Sequence, residues 1–154
     1  MRRSVGFAVL AGIALATVAC ERKPAVLAVD QAWIRLPAVR EQPGAAYFTL
    51  RGGEQATTLV KVAAPFAVRT EMHESMTGEH DMATMQPLNE VALPPGGEVV
   101  FKPGGKHVML FDVGPMVAAG QTVPLTLEFA DGKSLAVQAR VVGAGDPPPE
   151  SAEH

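Results

Sequence analysis

The sequence predicts an all-β domain built as an antiparallel Greek-key sandwich or barrel. Three observations indicate this class. Eight or nine short segments alternate apolar and polar residues, Gly- and Pro-rich turns separate them, and no segment has the periodicity of a convincing amphipathic helix. An apolar content of 47% is enough to fill the two inner faces of such a fold.

The first half of the domain contains five strand-like segments, most of them bounded by Pro or Gly. The clearest covers residues 45–51, in which Ala46, Phe48 and Leu50 fall on one face of a strand. The Gly52-Gly53 pair ends this segment. The other four are predicted at residues 32–36, 57–62, 68–74 and 80–88.

The second half contains four more segments, at residues 98–101, 106–112, 121–129 and 135–141. The first two flank Lys102-Pro103-Gly104-Gly105, which predicts a hairpin because Pro and Gly occupy its central positions. The last two flank the tight-turn dipeptide Asp131-Gly132. Pro124 lacks an N–H group, so its strand is predicted to be an edge strand or to be exposed at an edge there.

The N-terminus has the features of a secretory signal peptide. Arg2 and Arg3 precede an apolar run over residues 5–18, which is short for a membrane span. Cys20 follows Ala19 and resembles the cleavage site of a bacterial lipoprotein, where the thiol is lipidated. Ordinary cleavage after Ala19 is the alternative. We therefore expect a periplasmic protein, anchored to a membrane surface if Cys20 is lipidated.

These features divide the chain into a signal peptide (1–19), a tether (20–30), one β-domain (31–143) and a disordered Pro- and Glu-rich tail (144–154). Cys20 is the only cysteine, so the fold must be stabilised by its core without an internal disulfide. Without Arg2 and Arg3 the net charge is −5, and no basic run is present. A nucleic-acid partner is therefore not expected.

Histidine and methionine cluster in the middle of the chain. Five of the six methionines after the signal peptide lie within 38 residues, beside three of the four histidines. The candidate metal ligands are His73, Met85, His107 and Met109. His107 and Met109 are two apart on a strand and share a face. A hairpin symmetric about residue 79 would place His73 opposite Met85, with Cβ atoms about 5 Å apart.

Two imidazoles and two thioethers form a ligand set suited to Cu(I). Thioether sulfur is soft and needs no deprotonation, whereas Cu(II) prefers more nitrogen and oxygen ligands in a tetragonal arrangement. The alternative is that Met109 belongs to the core, that His107 is solvated, and that Met72, Met76 and Met82 fill gaps. This alternative gives no reason for the clustering.

The domain, over residues 32–142, resembles the periplasmic copper chaperone family PCu(A)C. The family pattern is a His, an optional Met, ten residues, a Met, twenty-one residues and His-x-Met, which His73, Met85, His107 and Met109 fit. Glu74 stands at the position of the optional Met. The surrounding phrases that also resemble the family are residues 44–50 (GAAYFTL), 71–74 (EMHE), 102–110 (KPGGKHVML) and 123–129 (VPLTLEF).

This resemblance implies a cupredoxin-like fold and Cu(I) binding outside the cytoplasm. It also implies delivery of copper toward the copper-bearing subunit of cytochrome c oxidase, alongside Sco-type proteins. An electron-transfer cupredoxin or copper oxidase would want a Cys thiolate in the site, and Cys20 lies in the tether, so we expect no enzyme. A copper storage or resistance protein and a metal-free β-sandwich binding module remain the alternatives.

Several further residues bear on the site. Met76, His80 and Met82 fall between the first two ligands and are candidate auxiliary contacts. Trp33 and Tyr47 are expected to be core residues rather than copper neighbours. The tail offers only His154 as a ligand, so a second copper site there is not expected.

Overall fold

The computed structural model describes residues 23–78 and 83–150, so the predicted signal peptide and Cys20 lie outside the described residues. The described chain forms ten strands and no α-helix, and the all-β prediction is confirmed. No helix within these ranges is long and apolar enough to cross a membrane. The strands are β1 (Ala28–Arg35), β2 (Gly44–Arg51), β3 (Thr57–Ala63), β4 (Ala67–Thr77), β5 (Ala83–Leu88), β6 (Val91–Leu93), β7 (Glu98–Phe101), β8 (Lys106–Val113), β9 (Thr122–Phe129) and β10 (Ser134–Val142).

All ten strands belong to one sheet that is rolled onto itself. Their order is β5-β4-β8-β7-β2-β1-β10-β9-β3-β6, and β2 also pairs with β8. The hydroxyl of Thr70 in β4 donates to the carbonyl of Val62 in β3 at 2.5 Å, although six strands separate β4 from β3 in this order. Most neighbours are antiparallel, while the pairs β1–β10 and β7–β8 are parallel.

The core fills the inside of the rolled sheet with one face of each strand. In β9 the alternation predicted from the sequence is observed, since Val123, Leu125, Leu127 and Phe129 are all buried. Phe48 in β2 stacks on Phe101 in β7, with ring centroids 4.3 Å apart. The other large side chains that are fully buried are Ile34, Leu50, Leu59, Leu93, Leu110, Val62, Val108 and Val141.

The prediction of a hairpin around residues 102–105 is wrong, although the turn itself is present. The amide of Gly105 donates to the carbonyl of Lys102 at 3.0 Å, and Gly104 has a φ of 77°, which suits glycine. However, β7 and β8 run in the same direction, because both pair antiparallel with β2. Phe48 is opposite Phe101 and Ala46 is opposite Val108. The turn therefore connects two strands that run in the same direction along one partner strand, β2.

A β-bulge in β1 decides which side chains of that strand enter the core. The register with β2 shifts between Asp30 and Trp33, and Gln31 adopts a φ of 53°. The extra residue inverts the alternation, so that Ile34 is fully buried in the main core while Trp33 belongs to a separate cluster.

The remaining differences from the sequence prediction are one short strand and the two ends of the domain. β6 was not predicted, because three residues are too few for an alternation to be recognised. β1 begins at Ala28, inside the predicted tether. The first part of the predicted tail also lies against the domain: Arg35 donates to the carbonyl of Asp146 at 3.1 Å, and Pro149 is buried. Pro124 behaves as predicted, since β9 pairs there with β10 but no longer with β3.

Candidate metal centre

The strand pairing brings three of the four predicted ligands together on the face of the sheet opposite the main core. His73 in β4 is directly opposite His107 in β8. Met109 lies two residues beyond His107 on the same face, opposite Glu71. Met109 is therefore the diagonal neighbour of His73, a separation of roughly 7–8 Å that a long side chain can span.

Met85 lies on the same face but not opposite His73, so the predicted register of this hairpin is wrong. Met85 pairs with Ser75, and His73 pairs with Pro87. The physical reason is on the core face, where this register places Leu88 opposite the buried Met72. The predicted register would have placed polar Gln86 there. The observed register differs from the predicted one by two residues, and side chains alternate faces with a period of two. Met85 therefore stays on the predicted face and becomes a diagonal neighbour of His73.

The two imidazoles face each other across the strand pair. Their ring centroids are 6.1 Å apart, with an angle of 30° between the planes. His107 is 7% exposed and the side chain of His73 is 14% exposed. Metal–nitrogen bonds of about 2 Å place the centroids of two rings on one metal roughly 5–6 Å apart. The observed separation is thus close to that of two imidazoles sharing one ion.

Each imidazole has one nitrogen in contact with an acceptor. Nδ1 of His107 lies 2.9 Å from the carbonyl oxygen of Gly105, and Nε2 of His73 lies 3.1 Å from Oε2 of Glu71. Glu71 also forms an ion pair with Arg69. Nδ1 of His73 is buried and has no hydrogen-bond partner.

Glu71 is a site residue that the sequence reasoning missed. The signal was available, because a residue two positions before His73 on a strand shares its face. Glu74, which occupies the position of the optional Met, is on the other face, where its carboxylate accepts a hydrogen bond from Lys106 at 2.6 Å. The structure thus separates two carboxylates of one strand, one beside the imidazoles and one away from them.

Met76 is the one candidate auxiliary ligand within the described residues, and it does not join this cluster. Met76 is opposite Thr84 and, by alternation, is on the face opposite to His73 and Met85. Met72 is 6% exposed and belongs to the core. His80 and Met82, like His154 in the tail, lie outside the described residues.

Two aromatic residues adjoin the site on its face of the sheet. Trp33 and Tyr47 are buried as expected, but they form a separate cluster with Val142 rather than part of the main core. Their ring centroids are 4.4 Å apart, and Ala45, which packs on this cluster, is opposite Met109. Burial raises the pKa of the Tyr47 hydroxyl, and this effect outweighs the opposing influence of the nearby Arg35 charge.

The residues present fit a soft, singly charged metal ion. Two imidazoles face each other, a thioether lies beside them, and a buried ring nitrogen with an unused lone pair is available. A second thioether, that of Met85, lies on the rim of the same face and is 52% exposed. This donor set is softer than the nitrogen and oxygen sites that Cu(II) prefers.

Comparison with known families gives this arrangement a context. Residues 27–141 match the family model described as "Putative lipoprotein LpqE-like". The chain belongs to the LpqE-like family. A curated relative of this LpqE-like protein is "Putative lipoprotein Lxx21020" from Leifsonia xyli subsp. xyli (strain CTCB07), which is 27% identical over 110 residues. The match covers 71% of this chain and 65% of that relative, so the chain spans less than two thirds of its length.

Solved structures of PCuAC domains share the fold of this LpqE-like domain. The copper-bound PCuAC domain from PmoF2 superimposes with a TM-score of 0.63 at 21% identity, covering 79% of this chain and 97% of that domain. The Cu(I) form of DR1885 from Deinococcus radiodurans has a TM-score of 0.54 at 31% identity, covering 80% and 81% of the two chains. The predicted cupredoxin-like fold is confirmed by these neighbours.

Proposed function

We propose that this protein is an extracytoplasmic Cu(I) carrier that holds one ion with His73, His107, Met109 and Met85. The observation that supports the proposal most directly is the pairing of His73 with His107 on the same face as the Met109 thioether. Two fold neighbours have copper bound, one of them as Cu(I), which agrees with this ligand set. No enzymatic activity is proposed.

The site has a protected side and an open side, which suits a carrier. His107 is 7% exposed, whereas Met85 on the edge strand β5 is 52% exposed. A neutral thioether at the rim can leave the ion without a proton change, and a ligand of a recipient can take its place. We therefore assign Met85 the role of the ligand that is exchanged first.

The test of this function is an anaerobic titration of residues 21–154 with Cu(I) in competition with a chromogenic Cu(I) chelator. We expect one tightly held equivalent, which is lost when Met85 and His107 are both replaced. Absence of competition with the chelator would leave the metal-free binding module as the better interpretation.

Met85 and Met76 form a matched pair of exposed methionines on the two strands of one hairpin. Met85→Leu is expected to weaken Cu(I) binding and to accelerate transfer to the chelator, because the rim thioether is lost. Met76→Leu is expected to leave affinity and transfer rate unchanged, since Met76 is on the other face of the hairpin. Equal effects of the two substitutions would show that Met85 is not a ligand.

Delivery toward cytochrome c oxidase, with a Sco-type protein or the copper-bearing subunit as recipient, is part of the same proposal. Copper storage or resistance is the competing function, because it needs the same site but no recipient. A deletion strain separates the two. Loss of oxidase activity that copper supplementation restores would support delivery, whereas copper sensitivity with normal oxidase would support storage.

The location proposed for this carrier is the periplasm, at a membrane surface to which a lipid on Cys20 attaches it. The lipoprotein descriptions of the matched family and of the curated relative support this assignment. Cys20→Ser is expected to move the protein from the membrane fraction to the soluble fraction, because a thiol is needed for lipidation. Fractionation and immunoblotting measure this. Continued sedimentation of the variant with membranes would exclude lipidation as the anchor.

A further inference from the structure

The two site histidines contact their neighbours through different ring nitrogens. A carbonyl oxygen only accepts hydrogen bonds, so the contact of 2.9 Å between Nδ1 of His107 and the Gly105 carbonyl requires the proton on Nδ1. The neutral ring then has its free lone pair on Nε2. His107 therefore offers Nε2 to a metal.

His73 has the opposite arrangement. Its Nε2 lies 3.1 Å from the carboxylate oxygen Oε2 of Glu71, which also only accepts, so the proton of the neutral ring is on Nε2. The free lone pair is then on Nδ1, the buried nitrogen that has no hydrogen-bond partner. A bound ion would satisfy this nitrogen.

The carboxylate that fixes the His73 ring is itself held in place. Arg69 pairs with the second oxygen of Glu71, Oε1, and its guanidinium group lies over the ring of Phe111, 3.8 Å from the centroid. The positive charge of Arg69 compensates the carboxylate, which reduces its tendency to bind the metal as a hard oxygen ligand. Glu71 thus remains available as a hydrogen-bond acceptor for His73.

We propose that Glu71 is a positioning residue that makes His73 bind Cu(I) through Nδ1, while His107 binds through Nε2. This inference rests on the proposed function only for the identity of the ion, because the proton positions belong to the protein without copper. A carboxylate behind a metal-bound imidazole fixes the tautomer and orients the ring, and losing such a partner typically costs about 10–100-fold in metal affinity.

Long-range ¹H–¹⁵N NMR spectra of the imidazoles test the proposal in two steps. Without copper, we expect the Nε2–H tautomer for His73 and the Nδ1–H tautomer for His107. On addition of one equivalent of Cu(I), which is diamagnetic, the ¹⁵N resonances expected to shift are Nδ1 of His73 and Nε2 of His107. A shift at Nε2 of His73 would overturn the proposal. Absence of any copper-induced shift would instead count against the proposed function, while the copper-free spectrum still tests the contact with Glu71.

Two substitutions of Glu71 and one matched control separate positioning from a structural role. Glu71→Ala is expected to lower the fraction of His73 in the Nε2–H tautomer to that of an imidazole without a partner, and to weaken Cu(I) binding by about 10–100-fold. Glu71→Gln keeps a neutral acceptor and should restore both the tautomer and most of the affinity. Glu74→Ala removes the carboxylate on the other face of β4 and should change neither the tautomer of His73 nor the Cu(I) affinity. Equal behaviour of Glu71→Ala and Glu74→Ala would exclude Glu71 as a positioning residue.

Discussion

The His107→Ala variant is expected to lose Cu(I) affinity by more than the roughly 10–100-fold that loss of a supporting hydrogen bond costs, because a buried ligand disappears. The fold should persist. The Gly105 carbonyl that His107 contacts also accepts the backbone N–H of Ser75 at 3.1 Å, so removing the imidazole leaves no buried oxygen without a partner. Competition with a chromogenic chelator under anaerobic conditions measures the affinity.

The thioether beside this imidazole provides an independent check. Met109→Leu keeps the apolar volume and removes only the sulfur, so it should lower Cu(I) affinity with little change in stability. Circular dichroism and thermal unfolding of both variants without copper monitor the fold. An affinity equal to that of the unmodified protein, in either variant, would show that the replaced residue is not a ligand.

The Phe101→Ala variant is expected to lose about 3–5 kcal/mol in the free energy of unfolding, which is a large part of the stability of a small domain. Phe101 is 2% exposed and stacks on Phe48, which is 1% exposed. Truncation therefore leaves a cavity inside the rolled sheet, where the surrounding strands are hydrogen-bonded on both sides and cannot collapse into it. Urea denaturation measures the change.

Val100 is the matched control for this substitution, because it precedes Phe101 on β7 but is 39% exposed. Val100→Ala is expected to change the free energy of unfolding by only about 0.5 kcal/mol. If Phe101→Ala does not fold, Phe101→Leu should fold with a smaller loss, because leucine fills part of the cavity and only the stacking and the remaining volume are lost. Similar losses for Val100→Ala and Phe101→Ala would contradict the position assigned to the aromatic stack.

Much of the site can be predicted from residue spacing, because a strand places residues two apart on one face. His107 and Met109 share a face for this reason. The same periodicity predicts the correct face for Met85, although the predicted register of the β4–β5 hairpin differs from the observed one by two residues. Glu71 could have been found by the same rule, but a carboxylate outside the expected ligand set was not considered.

The pairing of strands that are distant in sequence could not be predicted in this way. The Lys102–Gly105 turn is correctly placed, yet its flanking strands do not form a hairpin. Both pair antiparallel with β2, and they pair with each other in parallel, where Phe101 is opposite Lys106. Turn residues determine local backbone dihedral angles, whereas the partner of a strand depends on which apolar faces can be buried together. The contact between His73 and His107 depends on that second condition, since β4 and β8 are not consecutive in the chain.

The all-β class and most of the strands follow from the sequence alone, because alternation and Gly/Pro turns are local properties. The soft ligand types are local too, and they predict a site for a soft metal ion. Three features are visible only in the folded sheet: His73 is opposite His107, Met85 lies at the exposed rim, and Glu71 contacts one imidazole. These features depend on strand register, which is set by burial across the whole rolled sheet rather than by any single segment.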